Sequence, residues 1–441
     1  MLKKVLPLLL VAAMLFTLGA FAQEAAQPTS ITFWHSMSDE AGVLVDKFVS
    51  QFNDSIGKDK QIVVEAVFQG QYSDATTKLN SILTAEDYAQ LPDVMNLDAT
   101  GKVAYFNSGR AWTLDDALAA DPGYDVGQIL PITLSNWEFS GVRLGMPFAA
   151  STTIMFYNKT MLDGAGALAP ETFQDIIALS EKLPDKSAGG LDILTYSVVP
   201  NTPTLANWLG QLGSYVVNNK NGSEAMATEL ECIENGALET FLTEWKAMYD
   251  AGALTNAAGT TDQFVAGQLA VLTTSSSNVT SLLEKIGGTF ELGAGFYPRV
   301  NAEASYGATV SGSCLVMFDK QDEAKKAAGW ELVKFLASPE VQAEFAAATG
   351  YVPVNTGAQE VAEYQQLVAG KPQYAVAGEQ LAITPSDMKS VTVGPAKDFY
   401  YAIQDNIAMM LDDGLSIGET VEIMADELTG LLYQYEQANK K

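Results

Sequence analysis

Residues 144–158 read Leu-Gly-Met-Pro-Phe-Ala-Ala-Ser-Thr-Thr-Ile-Met-Phe-Tyr-Asn. Two extended runs in this stretch flank a proline and several small residues. Proline removes a donor from the hydrogen-bond ladder of a sheet, so it marks the edges and irregular positions of strands. We therefore expect a strand here that crosses from one lobe of the protein to another.

The segments before residue 144 alternate between strand and helix patterns. Leu44, Phe48 and Phe52 fall four residues apart and form one apolar face, on a helix that Ser38 can cap. A second helical pattern starts near Ser73. Extended apolar runs surround these helices and cover residues 31–34, 62–68 and 94–97. This order predicts an α/β fold with a largely parallel sheet.

Helical patterns dominate after residue 158, with two returns to strand-like sequence at residues 269–274 and 312–318. Thr172 opens one helix. Pro339 stands at the first position of another, which Gly350 can end in a left-handed conformation. With 441 residues the chain is too long for a single compact core, which indicates two or three lobes.

The N-terminal residues have the layout of a cleavable secretory signal. Lys3 and Lys4 precede an apolar run over residues 5–22 that closes on Ala-Phe-Ala. No cysteine follows this small-residue box, so nothing here predicts a lipid anchor. We expect cleavage after Ala22 and a soluble protein exported to the periplasm, with an uncleaved membrane anchor as the alternative.

The composition is that of an ordered and strongly acidic globular protein. Hydrophobic residues make up 48% and charged residues 18% of the chain, and the formal net charge is −28. This charge repels nucleic acids and anionic membranes, so we expect neither as a partner. Only three arginines are present. Since arginine is the usual bidentate partner of carboxylate and phosphate, their scarcity favours an uncharged ligand.

The scarcity of histidine and cysteine limits the catalytic and metal-binding chemistry that is available. His35 is the only histidine, so a His-dependent triad or a multi-histidine metal site would have to include it. Cys232 and Cys314 lack metal-ligand spacing, and whether they form a disulfide stays open. No segment matches an enzyme motif, and we expect no cofactor and no metal.

Short motifs spread over nearly the whole chain after residue 22 give it a family resemblance. Each motif is weak alone, and together they are fairly specific. The sequence resembles the extracellular solute-binding proteins of carbohydrate ABC importers, the group that includes maltose-binding protein, and within it the members that bind sn-glycerol 3-phosphate. The motifs are Phe33-Trp34-His35-Ser36-Met37, Gly70-Gln71-Tyr72, Pro147-Phe148 with Ser151-Thr152, Tyr157-Asn158-Lys159, Leu272-Thr273-Thr274-Ser275-Ser276 and Thr349-Gly350-Tyr351-Val352-Pro353.

The resemblance implies an α/β, two-lobed periplasmic-binding-protein fold of class II type, with hinge crossovers and a ligand cleft. Lobe 1 would comprise residues 23–145 and about 306–365, and lobe 2 about 146–305 and 366–441. A ligand that contacts both lobes stabilises the closed form, which the permease subunits of the importer bind. The protein would be a monomer that captures a sugar or polyol and is not an enzyme.

The resemblance also implies a set of ligand-binding residues. Asp98 is one methylene shorter than the glutamate found in the family, and the other matches come from the motifs above. Tyrosine and tryptophan rings can cover the C–H faces of a sugar, while carboxylate and hydroxyl groups bind its hydroxyls. The candidate residues are Trp34, His35, Tyr72, Asp98, Ser151, Ser276, Gly312 and Tyr351, with Ser275 or Ser277 as alternatives to Ser276, and Ser311 as the alternative to Gly312.

Two features of the family site are missing from this chain. The ligand-binding arginine has no counterpart, and the aligned region 389–394 offers only Lys389. The paired tryptophans expected near residues 200–207 are also missing, and only Trp208 is near. A phosphate dianion buried without a charged partner would be costly. We therefore favour a neutral sugar or polyol, with sn-glycerol 3-phosphate or a glycerophosphodiester as the alternative.

Each candidate residue also has a purely structural interpretation. Trp34 and His35 could pack at the hinge, and Asp98 could cap the next helix. Tyr351 could support the end of a helix, and the serines at 275–277 could form a turn. For the protein as a whole, a secreted glycan hydrolase and a sensor subunit that presents its closed form to a receptor are the alternatives.

Overall fold

The computed structural model describes residues 27–183 and 193–439. The predicted signal segment and its cleavage after Ala22 lie outside the described residues. The described chain forms two half-sheets that share one long strand, and helices pack around both. The strands are β1 Thr29–His35, β2 Ile62–Phe68, β3 Val94–Asp98, β4 Ala111–Trp112, β5 Glu138–Phe139, β6 Val142–Arg143, β7 Met146–Asn158, β8 Leu194–Ser197, β9 Leu254–Thr255, β10 Leu269–Ser275, β11 Leu292–Gly295 and β12 Val310–Phe318.

β7 belongs to both half-sheets. The strand order is β2-β1-β3-β12-β7 in lobe 1 and β7-β10-β8-β9 in lobe 2, where β11 also pairs with β7. Residues 146–152 of β7 pair with β12, and residues 153–157 pair with β10. The strand predicted to cross between lobes is therefore present, and it changes partner between Thr152 and Thr153. The residue boundaries proposed for the lobes stay a prediction.

The prediction of a largely parallel sheet is confirmed for the N-terminal strands from which it was made, whereas the strands nearest the crossing are antiparallel. β1 pairs in parallel with β2 and β3, and β8 pairs in parallel with β9 and β10. In contrast, β12 runs antiparallel to β3 and β7, and β7 runs antiparallel to β10 and β11. A strand that passes from one lobe into the other is flanked by strands that return in the opposite direction. Local periodicity does not contain this information.

The helices cover both faces of the half-sheets, and none of those described is long and apolar enough to cross a membrane. Short 3₁₀ turns lie at Tyr88–Gln90, Ala99–Gly101, Val126–Gln128, Ser276–Asn278, Thr356–Glu360 and Pro372–Tyr374. The helices are α1 Asp39–Phe52, α2 Tyr72–Ala85, α3 Lys102–Phe106, α4 Leu114–Ala120, α5 Pro131–Asn136, α6 Lys159–Gly164, α7 Phe173–Lys182, α8 Thr202–Gln211, α9 Glu231–Glu234, α10 Ala237–Asp250, α11 Thr261–Val265, α12 Val279–Ile286, α13 Glu323–Leu336, α14 Pro339–Thr349, α15 Ala362–Gly370, α16 Val376–Ile383, α17 Ala396–Asp412 and α18 Ile417–Asn439.

Most of the helix signals predicted from the sequence are confirmed. The hydroxyl of Thr172 accepts a hydrogen bond from the Asp175 amide and caps α7. Gly350, at φ 77°, ends α14 in the left-handed conformation. The cap predicted for Ser38 does not form, because its hydroxyl donates to the neighbouring Asp39 carboxylate rather than accepting from a helix amide.

The core of lobe 2 contains a cluster of large aromatic rings. Trp208 is fully buried, and its ring centroid lies 4.8 Å from that of Trp245 and 5.2 Å from that of Tyr297. Phe241 stacks on the same tryptophan at 5.3 Å. Burial and aromatic contacts of this kind stabilise a core. Trp208 is therefore a packing residue and offers no platform to a ligand.

The two cysteines lie in different cores and are both free. Cys232 packs in the core of lobe 2, whereas Cys314 packs with Trp34 and Leu97 in lobe 1. The structure therefore answers the open question of a disulfide: the two thiols do not form one.

Gln380, in α16, links the elements that meet at the crossing point. Its amide nitrogen donates to the carbonyl of Thr153 at 2.9 Å and to the hydroxyl of Thr152 at 3.2 Å. Its amide oxygen accepts a hydrogen bond from the Tyr297 backbone at 2.7 Å. The side chain is completely buried. One buried amide thus satisfies backbone groups from two segments, which buried polar groups require.

We predict that Gln380→Met lowers the free energy of unfolding by about 2–4 kcal/mol, because the Thr153 carbonyl and the Tyr297 amide lose their partner inside the protein. Urea titration followed by circular dichroism measures this change. Gln366→Met, at an exposed position of α15, is the matched control and should stay within about 0.5 kcal/mol of wild type. Equal stabilities for the two variants would contradict the role given to Gln380.

Candidate functional site

Several predicted site residues come together at the C-terminal ends of β1 and β3. In α/β sheets, ligands commonly bind outside the carboxyl ends of parallel strands. Asp98 is the last residue of β3, and Tyr72 is the first residue of α2, which follows the neighbouring strand β2. Tyr351 reaches the same region from the segment after α14.

Tyr72 is half-buried, and its surroundings define the centre of the site. Its hydroxyl lies 4.0 Å from the sulfur of Met37. Burial raises the pKa of the Tyr72 phenol, with a further increase from the nearby Tyr351 and Asp98, while a side-chain interaction with Ser313 lowers it. The phenol is therefore neutral and can both donate and accept hydrogen bonds. These interactions place Tyr72, Asp98 and Tyr351 together.

Asp98 is half-buried and keeps hydrogen-bonding capacity for a ligand. The hydroxyl of Thr100 donates to its Oδ1 at 2.7 Å. Burial raises the pKa of the Asp98 carboxyl, although hydrogen bonds from Thr100 and from nearby backbone groups lower it. An ionised carboxylate has about four acceptor positions, and Thr100 is the one side chain among the described residues that donates to it, so part of this capacity is left for a ligand. Asp98 also occupies the N-cap position of the 3₁₀ turn at Ala99–Gly101, but its side chain forms no capping hydrogen bond there, so the predicted alternative of a capping role is not supported.

Tyr351 stacks on Phe345, with 5.5 Å between ring centroids and 11° between planes. It follows Gly350, whose backbone lies against the carbonyls of Ser276 and Ser277 in lobe 2. A Cβ atom at Gly350 would come within 3.3 Å and 3.2 Å of these two oxygens, respectively. The φ of 77° at Gly350, together with this tight approach, favours glycine at the position just before Tyr351.

A row of polar residues crosses the half-sheets beside these tyrosines. Residues directly opposite each other on paired strands point to the same face, as do alternate residues along one strand. Asp98 is opposite Ser313 on β12, Ser311 is opposite Ser151 on β7, and Thr153 is opposite Ser275 on β10. We call the following residues the polar row: Asp98, Ser313, Ser311, Ser151, Thr153 and Ser275.

Members of the polar row differ in exposure. Ser311 is exposed, whereas Ser151 is buried. The neighbouring Gly312 has φ 111°, and a Cβ atom there would lie 1.8 Å from the carbonyl oxygen of Ala149. Gly312 is therefore required by the close contact between β12 and β7. Of the two alternatives at this position, Ser311 is the one that presents a hydroxyl to solvent.

Ser276, on the lobe 2 side, is oriented toward the hinge. It is buried, and its hydroxyl accepts a hydrogen bond from the Thr152 amide at 3.4 Å. The hydroxyls of Ser275 and Ser277 lie 2.9 Å apart and bond to each other. The predicted turn is present as the 3₁₀ turn Ser276–Asn278. Ligand binding by these serines stays a prediction.

Trp34 and His35 point to opposite sides of the lobe 1 sheet. Trp34 is buried among α2 and its neighbours, and the ammonium of Lys78 lies 4.1 Å from its ring centroid. His35 is buried on the α1 side, beside Phe68. Burial lowers the pKa of the imidazole, against the effect of the Asp46 carboxylate. The described contacts do not join either residue to the Tyr72 group, so their role in ligand binding stays a prediction.

Lys389, which aligns with the ligand-binding arginine of the family, and its neighbour Lys102 already donate to backbone carbonyls. The ammonium of Lys389 donates to the Ser135 carbonyl at 2.6 Å, and that of Lys102 donates to the Asn136 carbonyl at 2.6 Å. Burial lowers the pKa of Lys102 to about 8, and burial also lowers the pKa of Lys389. Lys389 is thus half-buried and packed between two segments, which differs from a freely solvated lysine.

The three arginines interact elsewhere. Arg110 lies over the ring of Tyr88, Arg143 forms an ion pair with Asp115, and Arg299 forms one with Glu171. Among the described residues, no group of histidine, cysteine or acidic side chains could hold a metal ion. The site therefore consists of aromatic, hydroxyl and carboxylate groups.

Sequence reasoning missed two residues that contact Tyr72. Met37 was noted only as part of a motif, and Ser313 was not considered. The alternation of Ser311 and Ser313 along β12 could have indicated Ser313, because both belong to the same strand face. The contact with Met37 joins residues 35 positions apart and depends on the path of the chain between β1 and α2.

Comparison with known proteins identifies the family of this chain. The family described as bacterial extracellular solute-binding protein matches residues 47–372. The sn-glycerol-3-phosphate-binding periplasmic protein UgpB of Yersinia pestis is 24% identical over 432 residues, which cover 95% of this chain and 96% of the relative. The corresponding protein of Salmonella typhimurium is also 24% identical, over 431 residues, with 96% of each chain covered.

Solved structures show the same fold. UgpB from Mycobacterium tuberculosis in complex with glycerophosphocholine has a TM-score of 0.73 and 20% identity, covering 92% of this chain and 99% of that one. The sugar-binding protein MalE from Xanthomonas citri has a TM-score of 0.74 and 20% identity, covering 94% and 100%. The prediction of a two-lobed periplasmic-binding-protein fold is confirmed by these matches.

The family and its relatives also confirm the predicted role of this chain as the substrate-binding component of an ABC importer, and they leave its substrate open. The match over residues 47–372, together with relatives that align over nearly the whole chain, leads to one conclusion. The chain belongs to the family of bacterial extracellular solute-binding proteins.

Proposed function

We propose that the protein captures a neutral sugar or polyol between its lobes and delivers it to the membrane permease of an importer. The observation that carries this proposal is the polar row, with Tyr72 and Tyr351 beside it. Such a combination of a few polar groups with aromatic surface is typical of small-molecule sites.

The groups of the site match the chemistry of a polyhydroxyl ligand. Sugar hydroxyls donate and accept hydrogen bonds, and the Asp98 carboxylate accepts strong charge-assisted ones. The exposed Ser311 can take either role. The rings of Tyr72 and Tyr351 can cover the C–H faces of a sugar while their hydroxyls bind its polar edge.

The distribution of charge favours a neutral ligand. Every arginine of the chain already has a partner: Arg110 lies over Tyr88, Arg143 pairs with Asp115 and Arg299 pairs with Glu171. Lys102 and Lys389 already donate to backbone carbonyls. A buried phosphate would therefore have no guanidinium to form a bidentate pair with it.

A glycerol phosphate, or a diester of it, is the second candidate. The relatives named above are binding proteins for sn-glycerol 3-phosphate. The charge of Lys389 contributes to the lowered pKa of Lys102, after the larger effect of burial, and the two ammonium groups donate to the consecutive carbonyls of Ser135 and Asn136. Two neighbouring cations away from water would be stabilised by an anion. In a phosphoester complex, one of the two lysines would exchange its backbone carbonyl for the phosphate.

The remaining parts of the proposal concern export and assembly. The relatives are periplasmic proteins, and we propose that this chain reaches the periplasm after cleavage behind Ala22. We further propose that it works as a monomer, binds the permease subunits in its closed form and performs no catalysis. Ligand that contacts both lobes would shift the population toward that closed form.

We predict that at least one neutral sugar or polyol raises the melting temperature of the protein in a thermal-shift screen, whereas sn-glycerol 3-phosphate and glycerophosphocholine do not. Ligand at a hundred times its dissociation constant adds about 2.7 kcal/mol to the stability of the folded state. Small-angle scattering should show a smaller radius of gyration with the same compound, since the lobes close around it.

A melting shift caused only by the phosphoesters would overturn the neutral ligand and support the second candidate. The same samples are assayed for released reducing sugar and phosphate. Turnover of any compound in the screen would contradict the proposal of a binding protein without catalysis and favour a hydrolase.

We predict that Asp98→Asn weakens binding of the neutral ligand by about tenfold or more, because charge-assisted hydrogen bonds to the carboxylate are lost. In the ligand-free protein, the same substitution should keep or raise the stability of the folded state. Burial raises the pKa of Asp98 above its ordinary value of 3.8, so the charged carboxylate destabilises the folded state above that range. The variant should therefore melt at the same or a higher temperature than wild type at pH 7.

This stability difference should disappear as the pH falls below 3.8, where Asp98 is protonated in folded and unfolded protein alike. Asp87→Asn, at an exposed position near the end of α2, makes the same change in charge and serves as the control. Calorimetry measures binding, and melting curves between pH 3 and pH 7 measure stability. Unfolding of Asp98→Asn at pH 7 would indicate that Asp98 has a structural role instead.

A further inference from the structure

A groove on lobe 1 lies beside the proposed ligand site and is chemically different from it. It has a volume of about 410 Å³ and runs between α1 and the ends of β1 and β2. We call it the α1 groove; His35, Met37, Asp39, Asp46 and Phe68 are among the residues that line it. Met37 also contacts the hydroxyl of Tyr72, so the groove adjoins the main site.

The charged groups of the α1 groove are all acidic. Asp39 and Asp46 are exposed and lie on the side of α1 that lines the groove. None of the described residues that line it is a lysine or an arginine. The neighbouring Lys47 pairs with Glu344. The electrostatic potential in the groove is therefore suited to a cation.

Phe68 adds an aromatic surface to this acidic groove. Its side chain is 52% exposed at the end of β2, which is unusual for a phenylalanine. The ring packs beside the imidazole of His35, with 5.7 Å between centroids. An exposed aromatic ring next to carboxylates attracts an organic cation, because the face of the ring carries partial negative charge.

His35 provides a third, independent feature. Its side chain is only 4% exposed, and its Nδ1 has no hydrogen-bond partner among the described residues. Buried polar atoms nearly always have a partner, so an unpaired one beside a cavity indicates a position for a ligand atom. Burial lowers the pKa of His35, against smaller increases from the Asp46 carboxylate and from an interaction with the Met37 backbone, so the imidazole is neutral near pH 7. A neutral imidazole has one acceptor nitrogen, and an ammonium N–H can donate to it.

We propose that the α1 groove binds the primary ammonium group of a small organic cation, such as an amino alcohol or an amino sugar. Asp39 and Asp46 supply opposite charge, Phe68 supplies a cation–π contact, and Nδ1 of His35 accepts a hydrogen bond. This binding uses residues of lobe 1 alone and goes beyond the capture of a sugar or polyol in the main site.

The single histidine makes a direct test possible. In untagged protein, His35 gives the only imidazole resonances. Ethanolammonium chloride is titrated at pH 7 and constant ionic strength, and the ¹H and ¹⁵N shifts of the imidazole are followed. Propan-1-ol, which has a methyl group in place of the ammonium, is the neutral analogue. We expect saturable shifts with ethanolammonium at millimolar concentration and binding of propan-1-ol about tenfold weaker.

Variants separate the groove from the main site. Asp46→Asn and Phe68→Leu should each weaken ethanolammonium binding by about threefold. Asp54→Asn makes the same charge change at an exposed position outside the groove and should leave binding within about twofold of wild type. Asp98→Asn, which affects the main site, should leave ethanolammonium binding unchanged.

Three results would overturn the proposal. They are imidazole shifts that ethanolammonium does not change, equal binding of propan-1-ol, or loss of binding in Asp98→Asn but not in Asp46→Asn. The last result would place the ammonium group in the main site. Because the sugar screen does not depend on Asp46, failure of the groove and failure of the proposed function can be told apart.

Discussion

The change of pairing partner within β7 is the constraint on which the two-lobed structure depends. One strand satisfies its backbone hydrogen bonds with β12 up to Thr152 and with β10 from Thr153 onward. Backbone groups at such a transition must still be paired when they are buried. The Thr152 amide donates to the Ser276 hydroxyl, and the Thr153 carbonyl accepts from the Gln380 side chain. The Thr152 hydroxyl in turn donates to the carbonyls of Ala308 and Thr309. The lobes are therefore connected by a strand whose hydrogen bonds are satisfied on both sides.

The site follows from the same arrangement. β12 lies between β3 and β7. Its pairing with β7 aligns Ser311 with Ser151, and its pairing with β3 aligns Ser313 with Asp98. Gly312 permits the close approach of the two strands. The polar row thus crosses from one lobe to the other at the point where relative motion of the lobes would change its shape. A ligand bound along this row would contact both lobes, which is the physical requirement for closure by population shift.

Contacts between the lobes also exist away from the hinge. Ser140, at the tip of the β5–β6 hairpin, donates to the carbonyls of Ser223 and Glu224 in lobe 2. The turn before them is left-handed at Asn219, Lys220 and Asn221, which is rare for residues other than glycine. Exposed hydrogen bonds of this kind contribute little net free energy, so they are compatible with lobes that separate when the ligand leaves.

Local pattern was sufficient for much of this architecture. Helix periodicity and helix ends depend on local backbone geometry, so neighbouring residues are enough to predict them. Examples are the apolar spacing of Leu44, Phe48 and Phe52, the cap at Thr172 and the helix end at Gly350. The order of the motifs indicated the family and brought Tyr72, Asp98 and Tyr351 forward as one group.

Other features depend on residues far apart in the chain. Four features arise only when distant segments meet. They are the antiparallel course of β12, the packing of Trp208 in a core, the contact of Met37 with Tyr72 and the unpaired nitrogen of His35. Sequence spacing does not record these distances, so the folded chain alone determined them.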